Sequence, residues 1–145
     1  MSRSHTTLAA SLCLAALTLT GVGCGGGLPV RGAVIAGPVG LAQVVDARDE
    51  RLDGGGLGGV QVKAVRPGTE TSGGIAPLAT AVTDDTGLFQ MKISDRDKIR
   101  GPIVVITESP DSFRTATRIY PPRAGQEVLI NVRERRSAGA TETSE

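Results

Sequence analysis

Between Leu41 and Val132 apolar and polar positions alternate in short bursts, separated by glycine, proline and aspartate, with the two-residue period of half-buried strands. The clearest stretch is Leu78 to Ile93, LATAVTDDTGLFQMKI. Its first apolar run ends at Thr83, an Asp84-Asp85-Thr86-Gly87 corner follows, and Leu88 to Ile93 alternates again, which predicts a β-hairpin. A tight return into a strand needs one residue at positive φ, and Gly87 can adopt it without a Cβ clash. Asp84 or Asp85 can accept from nearby backbone N–H groups to set the corner. In a second burst Val60, Val62 and Ala64 share one face and Gln61 and Lys63 the other. Near the end Val128, Ile130 and Val132 share a face in the same way. Ile103-Val104-Val105-Ile106-Thr107 is continuous and rich in β-branched residues, so a central strand covered on both faces is expected there. Leu41 to Ala47 and Thr115 to Tyr120 complete the set, with Pro121-Pro122 and Gly125 breaking the chain before its last strand.

No apolar face recurs at helical spacing beyond the first twenty or so residues. The pattern therefore predicts an all-β chain, an antiparallel Greek-key-like sandwich of seven strands within a range of six to eight. Its core is expected to include Val60, Val62, Phe89, Met91, Val105, Val128 and Ile130. Gly54-Gly55-Gly56 and Gly58-Gly59 read as a flexible expansion of the turn after Arg48, and Pro67 to Pro77 as a mobile loop. Leu28 to Pro38 reads either as a short first strand or as the end of a tether.

The first residues follow another pattern. Met1 to Thr7 is polar and carries Arg3, Leu8 to Leu19 is an unbroken run of apolar and small residues, and Gly21-Val22-Gly23 is small throughout. The run is too short to span a bilayer comfortably, so residues 1–23 read as a cleaved export signal. Cys24 comes next. Small residues before a cysteine resemble the bacterial lipobox, in which that cysteine receives lipid and becomes the mature N-terminus; here Gly21 stands where leucine is usual. The alternative is ordinary cleavage at the same bond and a freely secreted protein. Because Cys13 leaves with the signal, Cys24 is the one thiol left, and an unpaired thiol on an exported protein points to a use. The expected organisation is thus a signal (1–23), lipidated Cys24 with a flexible tether through Gly25-Gly26-Gly27 (24–38), the sandwich (39–133) and a disordered Ser/Thr/Glu tail (134–145). The expected location is the cell envelope, lipid-anchored at the outer membrane or cell surface.

Cleavage also removes His5, the only histidine, and leaves 15 basic and 15 acidic residues. No global field favours nucleic acid, and Cys-His or Ser-His nucleophilic chemistry has no imidazole to work with. Zinc is disfavoured for the same reason, and no cofactor is expected. Calcium is the weaker reading of Asp84 and Asp85, with Asp46 expected at the same end. The alternate-residue carboxylates of a calcium loop are missing, and turn formation is the commoner use of Asp before Gly. A cross-link between Lys63 and Asn131, the only asparagine, must form inside a core, and alternation directs both side chains outward. The pairs Asp49 with Glu50 and Asp95 with Asp97 fall in exposed turns beside basic residues. Arg114, Arg118, Arg123 and Arg133 are candidates to hold an anionic glycan, against the plainer reading of solvated edge positions.

Three pieces of the chain together resemble a known family. Val44-Val45-Asp46-Ala47 ends a strand, Leu57-Gly58-Gly59-Val60-Gln61-Val62 fits L-x-G-V-x-V, and Thr83 to Phe89 fits T-D-D-x-G-x-F. In this order they resemble the carboxypeptidase regulatory-like domain over about residues 39 to 133. The chain departs from it in the extra triple glycine before Leu57, and in Gly101-Pro102-Ile103-Val104-Val105, which lacks the tyrosine of the family's G-x-Y-x-V. The resemblance implies a transthyretin-like (prealbumin-like) sandwich and a non-catalytic accessory module, fused to enzymes or displayed alone on cell surfaces. The expected function is a structural or binding module that touches envelope protein or polysaccharide through its loops and the membrane through its lipid. The alternative is an accessory subunit of an exported peptidase or a small transthyretin-like enzyme.

Overall fold

The computed structural model describes residues 26–70, 76–94 and 99–135. They form eight strands: β1 (Gly27–Ala36), β2 (Leu41–Asp46), β3 (Gln61–Val65), β4 (Ala79–Val82), β5 (Leu88–Ser94), β6 (Ile103–Glu108), β7 (Thr115–Ile119) and β8 (Gln126–Val132). A single 3-10 turn, Glu50–Leu52, interrupts the link from β2 to β3. The strands make two four-stranded sheets, ordered β2-β8-β1-β5 and β4-β3-β6-β7. Val30 and Val34 of the first sheet and Val62 and Val105 of the second belong to one buried apolar cluster, so the core lies between the two layers. The residues expected in the core, Val60, Val62, Phe89, Met91, Val105, Val128 and Ile130, are all in that cluster.

The register gives the molecule two ends. Gly27 pairs with Ser94, Asp46 with Gln126 and Ile103 with Ile119 at the end where β1 begins, called here the entry end. The Asp84–Gly87 corner, the link from β1 to β2, and residues 109–114 and 133–135 lie at the opposite, hairpin end.

Three expectations need correction. The stretch 27–36, read as a short first strand or the end of a tether and assigned to the tether of 24–38, is the ten-residue strand β1, bonded on both sides at the centre of its sheet. Val30 and Val34 are fully buried by the partner layer, which makes the strand worth ordering. The sandwich is also not purely antiparallel, because β1 and β8 run parallel from Gly32 opposite Val128 to Ala36 opposite Val132. Finally, Glu134 bridges to Ser112, and Arg135 N–H donates to the Asp111 carbonyl at 2.9 Å, so the order extends past residue 133. The remainder of the expected tail, the expected signal and Cys24 lie outside the described residues.

The glycine-rich link is not a loose expansion. Leu52, on its 3-10 turn, packs with Ala33 and Leu129 on the outer face of the first sheet and closes a second small apolar cluster. Strand β8 is therefore covered on both faces. The link then threads between β1 and the hairpin: Gly56 N–H donates to the Thr86 carbonyl (2.7 Å), Leu57 N–H to Val34 (2.8 Å) and Gly59 N–H to Thr83 (3.1 Å). At Gly56 and Gly58 a Cβ would lie 2.4 Å from the Val34 carbonyl oxygen and 2.9 Å from that of Asp84, so close backbone explains glycine at these two places, and positive φ at Gly55 and Gly59.

Two buried threonines carry opposite expectations. The Thr83 hydroxyl accepts from Val60 N–H at 2.9 Å and donates to the Leu57 carbonyl at 2.6 Å, tying the link to the hairpin. Thr107 is fully buried on β6, and its hydroxyl has no partner among the described residues. Thr83→Val is expected to cost about 2–3 kcal/mol in urea denaturation, since it strands a buried donor and an acceptor, while Thr83→Ser recovers most of the loss. Thr107→Val should instead be neutral or stabilise by about 1 kcal/mol, because the lost hydroxyl was desolvated without compensation. Equal losses for the two valine variants would refute the contrast.

Candidate functional site

The acidic hairpin corner is occupied by bonds to its own turn. Asp84 Oδ1 accepts from Thr86 N–H (2.9 Å), Thr86 Oγ1 (2.6 Å) and Leu88 N–H (3.0 Å). These bonds, the Thr86 hydroxyl first, hold the Asp84 carboxyl below the usual aspartate range. Gly87 has φ of 83° and Asp85 is exposed. The expectation that Asp46 shares this end is wrong: β2 runs antiparallel to β8 and carries Asp46 to Gln126, at the entry end. Among the described residues no group of three or more metal-ligating side chains could hold an ion.

The other candidates are accounted for locally. Asp49 caps the 3-10 turn and binds Arg51 through both carboxylate oxygens, at 2.9 and 2.7 Å, which lowers its pKa to about 2. Asp95 and Asp97 lie outside the described residues. Lys63 and Asn131 stand in different sheets, and Lys63 Nζ donates to Glu108 Oε2 at 2.5 Å.

The four candidate arginines do not converge. Arg114 lies 3.8 Å from Glu108 and donates to the Glu70 carbonyl at 2.9 Å, while Arg118 is close enough to Glu70 to help lower its pKa. Arg133 and Arg135 both lie over the half-exposed Phe113 ring, at 5.4 and 5.5 Å from its centroid. Of the four, Arg123 alone lines a broad depression of the surface.

That depression, about 910 Å³, opens at the entry end between the start of β1, the turn before β6 and the β7–β8 link. Arg31, Arg100 and Arg123 line it with Tyr120, and Glu127 is the one acid among the described residues of the lining. A smaller adjoining hollow of about 260 Å³ shares Ile99, Arg100 and Gly101 with it. The three guanidinium groups make no ion pair or hydrogen bond among the described residues. Tyr120 is 73% exposed, the highest value of any large apolar or aromatic side chain described. It stands just past the end of β7, before Pro121 and Pro122, neither of which can donate a ladder bond. An open basic hollow with a projecting aromatic is suited to holding an anionic surface or polymer.

Sequence reasoning reached only Arg123. Arg31 stood in a segment read as a short first strand or the end of a tether and Arg100 in a polar connection, and the topology brings them together. Comparison with protein-family models, curated proteins and solved structures finds no match to the chain. No helix among the described residues is long and apolar enough to cross a membrane.

Proposed function

We propose that this chain is a non-catalytic, exported lipoprotein whose sandwich, of the transthyretin-like type, works as a binding module at the cell envelope. The observation that carries the binding reading is the entry-end hollow, with three arginines whose side chains have no partner among the described residues and Tyr120 beside them. The export and anchoring reading rests on the apolar run Leu8 to Leu19 and on Gly21-Val22-Gly23 before Cys24. The carboxypeptidase regulatory-like reading draws on the Thr83–Phe89 motif, which forms the hairpin corner between β4 and β5, and on eight strands in two sheets. The partner of the hollow is an anionic component of the envelope.

Fractionation of expressing cells tests the anchor. Wild-type protein is expected in the membrane pellet with a lipid mass on Cys24, and Cys24→Ser without that mass. A wild-type Cys24 of unmodified mass removes the lipoprotein reading. Binding is tested separately by retaining anionic envelope fractions on the immobilised full chain. Retention that falls with salt and in the Arg31→Gln/Arg100→Gln/Arg123→Gln variant supports the hollow as the working surface, and retention indifferent to both removes it.

A further inference from the structure

We infer that the anionic partner of the entry-end hollow is the bilayer surface itself, on which the sandwich sits with Arg31, Arg100, Arg123 and Tyr120 turned toward the lipid headgroups. The inference rests on the reading of Cys24 as the lipid-bearing residue. Strand β1 begins at Gly27, so only three residue steps separate Cys24 from the folded sheet. Fully extended, three steps reach about 10 Å. A long tether would let the domain turn any face to the membrane, whereas this link holds the entry end against it.

What that end presents fits the contact. Its three arginine side chains have no partners among the described residues, and Glu127 is the one acid among the described residues that line the hollow. Asp46 shares the end, but its Oδ1 accepts from Arg48 N–H at 2.9 Å in a turn. The opposite end mixes Asp84, Asp85, Asp111 and Glu134 with Arg133 and Arg135, which lie over Phe113. Leu28, Pro29 and Ile99 surround the arginines with apolar surface, and an exposed tyrosine beside basic side chains suits the headgroup layer. Each arginine near an anionic surface favours docking by roughly five-fold, and three together by roughly a hundred-fold.

The chain supplies its own probe. Tyr120 is the only tyrosine and there is no tryptophan, so tyrosine emission from the full chain reports on this hollow. The full chain, isolated from the cells that express it, is mixed with phosphatidylcholine vesicles carrying a nitroxide on some headgroups, with or without phosphatidylglycerol. Emission should be quenched more strongly when phosphatidylglycerol is present. High salt, and the Arg31→Gln/Arg100→Gln/Arg123→Gln variant, should relieve that extra quenching. The urea midpoint of the variant, expected to match wild type because the three side chains are exposed, shows that it is folded.

Equal quenching in the two lipids overturns the proposal. So does emission that responds to a soluble anionic envelope polysaccharide and not to vesicles. The intact mass of the same preparation reads the anchor independently. Lipid on Cys24 without extra quenching sinks the docked orientation and leaves the anchor standing. Extra quenching without lipid on Cys24 supports the surface contact and sinks the anchor.

Discussion

Gly87→Ala is expected to lower the unfolding free energy by about 2–5 kcal/mol, a large fraction of what a domain of this size has. Two separable costs add. The first is conformational: φ is 83°, in the left-handed region, where an alanine Cβ costs about 1–2 kcal/mol. The second is steric, since a Cβ there would lie 2.3 Å from Gly56 Cα and 2.6 Å from Leu57 N. To make room the link must move, straining the bonds from Gly56 N–H to Thr86 and from Val34 N–H to Gly87. Gly59 is the control, having φ of 73° with nothing within 4 Å of a built Cβ. Gly59→Ala should therefore lose only the conformational part, about 1–2 kcal/mol. Urea midpoints of the two variants measure the difference. Similar losses at both positions would show that the packing of link against hairpin contributes nothing.

The same contact explains what the sequence concealed. Strict alternation made β3, β5 and β8 legible: Val60, Val62 and Ala64 face the core, as do Phe89, Met91 and Ile93, and Val128, Ile130 and Val132. Strand β1 was illegible because its inward row, Leu28, Val30, Gly32 and Val34, lacks a side chain at the third place. Its outward row turns apolar at Ala33 and Ile35 where Leu52 covers it. A strand half covered on its outer face loses the two-residue signal. Parallel pairing with β8 leaves no mark in the pattern at all, because hydrophobicity records which face is buried and not which neighbour is bonded.

The corner residues were legible for a different reason. Asp84 and Gly87 act within four residues of each other, so local turn chemistry determines them. The basic hollow has no local signature. Arg31 comes from β1, Arg100 from the turn before β6 and Arg123 from the β7–β8 link, and each alone reads as a solvated surface charge. Only a parallel β1–β8 pair, which sets Arg31 beside the start of β8, carries all three to one end. The glycine-rich link misled in the opposite sense. Its composition suggests a mobile binding loop, and its bonds make it part of the framework.

Gly32→Ala is expected to be the most damaging single methyl in the chain, with a loss of more than about 3 kcal/mol or no folded protein. A Cβ built on Gly32 lies 1.9 Å from the Val128 carbonyl oxygen and 2.7 Å from its carbon, both backbone atoms that no rotamer change can withdraw. Strand β8 cannot retreat as a whole, for it is bonded to β2 on its other side. It cannot shift toward either face, because Val128, Leu129 and Ile130 are fully buried, the middle one against Leu52 and its neighbours against the other sheet. Nor can β1 yield, being paired with β5 from Gly27 to Ala33. The methyl must therefore part the two central strands of the sheet. Gly101→Ala makes the comparison, since no atom lies within 4 Å of its built Cβ and its φ is not positive. That variant should be neutral or gain about 0.4–1 kcal/mol by restricting the unfolded chain. Far-ultraviolet circular dichroism with urea titration reads both, and a folded Gly32→Ala protein of wild-type midpoint would mean that β1 does not pair with β8 as described.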